Sequence, residues 1–63
     1  MERYTINAYE GNTWVRTAWR QCTRQEAITH AESMSERRPH LTIEVTDEMT
    51  GLDIHTIRPF PPE

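Results

Sequence analysis

No lysine occurs in this chain of 63 residues, and cysteine occurs once, at Cys22. A lone thiol rules out an internal disulfide and fits a reducing compartment, so a cytoplasmic location is expected. Glycine occurs twice, and neither Gly11 nor Gly51 belongs to a glycine-rich phosphate loop. No apolar run is long enough to span a membrane. The opening residues Met1-Glu2-Arg3-Tyr4-Thr5 lack the charged and apolar regions of a signal peptide. His30, His40, His55 and Cys22 match no metal-ligand spacing, so neither a metal nor another cofactor is expected. No carboxylate sits in an apolar run that would raise its pKa for acid–base work. These absences leave an enzyme as the least expected class. Cys22 stands just before a helix start, where a thiol can be activated, but packing is its simpler role.

A chain this short forms at most one domain, here residues 1–63, with a limited core. Burial and ordering entropy nearly cancel at this size, so a partner subunit would help. The formal net charge of -3 argues against non-specific coating of nucleic acid. All seven strongly basic residues are arginine, and four of them (Arg3, Arg16, Arg20, Arg24) lie at or before the start of the expected helix. Codon bias in a GC-rich genome accounts for this most simply. Planar recognition of carboxylate or phosphate is the functional reading.

The clearest local signal is Thr23-Arg24-Gln25-Glu26. Thr23 can cap a helix while Glu26 reaches back to the Thr23 backbone N–H. The helix should run from Arg24 to Arg37, with Ala27, Ile28, Ala31 and Met34 as a narrow apolar stripe. Arg37 and Arg38 suit its last turn, and Pro39 stops it.

Residues 3–9 and 13–20 alternate polar and apolar around a Gly11-Asn12 turn, which reads as a tight hairpin. An unbroken register sets Tyr9 opposite Trp14, Ala8 opposite Val15, Ile6 opposite Thr17 and Tyr4 opposite Trp19. Trp19 is then expected in the core with Tyr4, Ile6 and Ile28. The other face carries Arg3, Tyr9, Trp14, Arg16 and Arg20, with Arg3 directly opposite Arg20. Residues 41–45 and 52–56 alternate likewise around a four-residue loop, Glu48 to Gly51. That loop sets Asp47 opposite Leu52, Val45 opposite Ile54 and Glu44 opposite His55. The tail, residues 58–63, is Pro-rich and extended, with Phe60 expected to fold over an end of the core. His30 is expected to pair with Glu26 one turn earlier.

The elements combine as ββαββ, an α+β fold. It is a four-stranded antiparallel sheet in spatial order 2-1-3-4, with the helix on one face. The outer face of the first hairpin is the candidate binding surface: Arg3, Tyr9, Trp14, Arg16 and Arg20. Trp, Tyr and Arg dominate binding hot spots. The expected function is therefore a small macromolecule-binding protein: an adaptor, inhibitor or regulator of the size found in phages and mobile elements. Its partner is expected to be a protein, with a homodimer as one form. A nucleic-acid partner using the Arg and aromatic side chains is the alternative, and a plain solvated face is the bland reading.

Overall fold

The computed structural model describes residues 2–60. Its elements follow the chain as β1 (Arg3–Glu10), β2 (Thr13–Gln21), α1 (Arg24–Arg37), β3 (Thr42–Asp47) and β4 (Asp53–Ile57). The strands form one antiparallel sheet in the order β2-β1-β3-β4. The helix lies against β3, β1 and β4. The architecture expected from the sequence is therefore the one observed.

The helix begins as its capping residues dictate. Thr23 is extended, its hydroxyl accepts the Glu26 N–H at 3.2 Å, and the Glu26 carboxylate accepts the Thr23 N–H at 3.1 Å. This reciprocal pairing satisfies two of the donors that a helix start leaves open. It also occupies Glu26, which therefore does not pair with His30. Ala27 and Ala31 are fully buried, and these small side chains let the helix sit close to the sheet. The core beneath is Tyr4, Ile6, Ala8, Leu41, Ile43 and Val45.

The first turn contains Gly11 at φ 62°, while Asn12 keeps an ordinary negative φ, the pattern of a type II′ hairpin. The second loop closes through the Asp47 N–H on the Leu52 carbonyl at 2.9 Å, with Gly51 at φ 73°. Asp47 thus faces Leu52, as expected.

Both registers then depart from the unbroken ladder in the same way. In β2 the pairs Glu10–Thr13 and Tyr9–Trp14 hold, but Ala8 faces Arg16, Ile6 faces Ala18 and Tyr4 faces Arg20. Val15 is the extra residue of a bulge. In β4, Thr46 faces Asp53, but Val45 faces His55, Glu44 faces Thr56 and Ile43 faces Ile57, with Ile54 as the extra residue. A one-residue slip moves every later side chain to the other face. The expected pairs Val45–Ile54 and Glu44–His55 are corrected accordingly.

Each bulge has a packing reason. In an unbroken β4 ladder Ile57 would face outward opposite Thr42. With the bulge, both Ile54 and Ile57 pack against the core. In β2 the unbroken ladder would place a Trp19 indole between Tyr4 and a helix held close by alanines. The bulge instead sets Arg20 opposite Tyr4 and Ala18 opposite Ile6, and the small Ala18 side chain packs against the core. It also moves Arg20 away from Arg3, which now faces Gln21, and so removes a pairing of like charges.

Trp19 is consequently not a core residue: it is 64% exposed. Phe60 does not cover the core either. It is 73% exposed, and only its backbone N–H is tied down, to the Pro39 carbonyl. The rest of the expected tail, residues 61–63, lies outside the described residues.

Candidate functional site: the open face of the sheet

The face opposite the helix is built by three cross-strand rows. Trp14, Tyr9 and Thr42 form the row nearest the first turn. Thr17, Asn7, Glu44 and Thr56 form the middle row, and Trp19, Thr5, Thr46 and Asp53 the next. Arg3 follows, opposite Gln21. Threonine recurs because a β-branched side chain suits a pleated surface and stiffens it.

The polar groups of this face are linked to one another. The Trp14 indole N–H donates to the Thr17 hydroxyl at 2.7 Å, and that hydroxyl donates to Asn7 Oδ1 at 2.6 Å. The Thr46 hydroxyl donates to Asp53 at 2.7 Å. The first two bonds orient the Trp14 ring without covering it. Trp14 stays 58% exposed although its only polar atom is satisfied. The Arg3 guanidinium stands 5.1 Å above the Trp19 ring, a cation–π contact that fixes both groups.

Thr5 is the exception. It lies in the Trp19 row and is only 8% exposed, and its hydroxyl has no hydrogen-bond partner among the described residues. A buried hydroxyl left in this way costs about 1–3 kcal/mol. The open face therefore has a stiff hydroxyl floor, two exposed indoles at the β2 margin, and carboxylates (Glu44, Asp53) toward β3 and β4.

The five residues expected to form the site do not stay together. Arg3, Tyr9 and Trp14 lie on this face. Arg16 and Arg20 lie on the helix side, which corrects their placement on the outer face. The bulge at Val15 lies between Trp14 and Arg16, so every later β2 residue is turned over. Arg20 instead lies 3.4–3.5 Å from the ring nitrogens of His30 on the helix. Burial, helped by the charges of Arg20, Arg37 and Arg16, holds the His30 pKa below its ordinary value. Trp19 is the residue that the sequence reading missed. The expected Arg3–Arg20 clash was the available signal, since a bulge relieves it.

Cys22 is half-buried against the core, and burial together with Glu26 raises its thiol pKa, opposite to the shift that activates a nucleophile. Among the described residues no group of three or more His, Cys, Asp or Glu side chains is placed to hold a metal ion. No helix among them is long and apolar enough to cross a membrane. Comparison with family models, with curated proteins and with solved structures finds no match to this chain.

Proposed function

We propose that the chain is a non-enzymatic binding protein, acting as an adaptor, inhibitor or regulator, and that it docks another protein on the open face of its sheet. One observation carries this reading: Trp14 and Trp19 lie on the same face of one strand, each more than half exposed. Exposed indoles flanked by an oriented arginine are the anchors that dominate protein interfaces. The partner that fits would offer apolar pockets for the two rings and basic side chains toward Glu44 and Asp53. A second copy of the chain is one such partner, since β2 also presents a free sheet edge. The half-buried single thiol fits a cytoplasmic setting. The nucleic-acid alternative loses weight, because only Arg3 of the three arginines assigned to this face is there to meet phosphate.

The test is the double variant Trp14→Ala with Trp19→Ala. Light scattering reads self-association, and affinity capture from the native host reads other partners. The variant is expected to stay folded and to lose the wild-type association at least tenfold, about 1.4 kcal/mol. Full retention of every wild-type association by the folded variant would remove the open face as the working surface.

A further inference from the structure

The opposite side of β2 carries a second feature. Between this strand and the C-terminal end of the helix lies a cavity of about 330 Å³. It is lined by the apolar residues Ala8, Val15, Met34 and Leu41 and by three arginines, Arg16, Arg37 and Arg38. No carboxylate among the described residues lines it. Among the described residues the one ion pair is His40 with Glu10, so none of these three arginines is neutralised by a carboxylate there.

Three like charges around one apolar hollow need a reason in a chain whose formal net charge is -3. Arg37 has a local one, because it stands in the last helical turn and offsets the helix dipole. Arg38 is the C-cap residue of the same helix. Arg16 has none of this kind. It belongs to the sheet, and the bulge at Val15 turns it toward the helix, where Val15 itself joins the wall.

We propose that this cavity binds a small organic anion, with an apolar body of a few carbons and one carboxylate or phosphate head. The volume lies at the small end of the range for ligand pockets, roughly 300–1,000 Å³, which limits the body. Apolar walls with a few convergent polar groups are the usual make-up of such sites. Guanidinium groups recognise carboxylate and phosphate with paired N–H donors, and the absence of a competing carboxylate leaves those donors available. This site lies on the side of the sheet away from the exposed tryptophans, so ligand binding there is read separately from docking on the open face.

The experiment titrates the full chain, labelled for backbone-amide NMR, with hexanoate, hexyl phosphate and hexanol. At least one of the two anions is expected to give saturable shifts at Val15, Arg16, Met34 and Arg37. The stronger of the two identifies the head group. Hexanol is expected to bind at least tenfold more weakly, about 1.4 kcal/mol. Arg16→Gln with Arg37→Gln is expected to weaken the anion at least tenfold as well. If that double variant melts early, Arg16→Gln alone, at an exposed strand position, serves in its place. Hexanol binding as well as the anions, unsaturable shifts, or unchanged affinity in the folded variant would overturn the proposal. So would shifts produced only by a glutamate-rich peptide, which would make the hollow a protein contact instead.

Discussion

β1 and β2 are neighbours in one hairpin with the same alternating pattern, yet they end in opposite environments. Tyr4, Ile6 and Ala8 of β1 are almost fully buried, whereas β2 has no buried residue and only Ala18 is half-buried. Their composition does not explain this, since β2 carries the two largest apolar side chains, Trp14 and Trp19. Coverage explains it. β1 lies between two strands and under the helix, while β2 is an edge strand at the margin of the helix. Alternation states that a strand has two faces. Only the rest of the fold decides whether anything covers either of them. An uncovered strand with two indoles is then free to act as a binding surface.

The comparison can be tested hardest by truncation. Ile6→Ala on β1 is expected to cost roughly 2–5 kcal/mol, a large share of the stability of a domain this size. Trp19→Ala on β2 removes a larger side chain, yet it is expected to cost only about 0.5–1 kcal/mol, the value of an exposed cation–π contact. Urea melts of both variants check the pair, and a reversed order would mean that the strands have been assigned the wrong coverage.

A smaller effect links the two strands. Thr5 of β1 is buried beside Trp19 of β2 with an unpartnered hydroxyl. Replacing that hydroxyl with a methyl group, Thr5→Val, is expected to stabilise the fold by about 1 kcal/mol. In a Trp19→Ala background water reaches Thr5, and the gain should shrink toward zero. A double-mutant cycle from the same melts measures the coupling.

The mildest effect is a pH limit set by β1. The Tyr4 hydroxyl donates to the Glu2 carboxylate, and this bond, with burial and the charges of Glu2 and Asp47, pushes its pKa up to about 12. A raised phenol pKa adds stability that is fully present below the unfolded value of about 10. That contribution declines as pH rises from there toward the folded value. Melts across this window should show the decline, and Tyr4→Phe should flatten it.

What the sequence made legible ends at the bulges. The Thr23–Glu26 capping box, the Gly11-Asn12 turn and the Glu48–Gly51 loop are local, and each forms as its residues require. Arg3 and Tyr9 lie on β1, and Trp14 lies ahead of the β2 bulge, so all three site residues stand where alternation put them. Arg16, Trp19 and Arg20 follow that bulge and are all inverted relative to the unbroken pattern. The reason is not local. A bulge forms when the alternative buries the wrong side chain, and that depends on how near the helix approaches. Two signals pointed to it: Arg3 set against Arg20 in the first hairpin, and Ile57 set outward in the second. Each was a conflict between local pattern and global packing, the kind of conflict a folded chain removes.

The bulge at Val15 underlies both the exposed tryptophans and the arginine-lined hollow, so the environment of Trp19 tests it most directly. Nuclear Overhauser contacts from the Trp19 indole protons, in the folded wild-type chain, read that environment. The observed register predicts contacts to Arg3 and Thr5 across the open face, and none to the helix. Contacts from that indole to Ile28 and Ile6 would contradict it, because they would restore an unbroken ladder with Trp19 in the core and Arg16 and Arg20 on the outside.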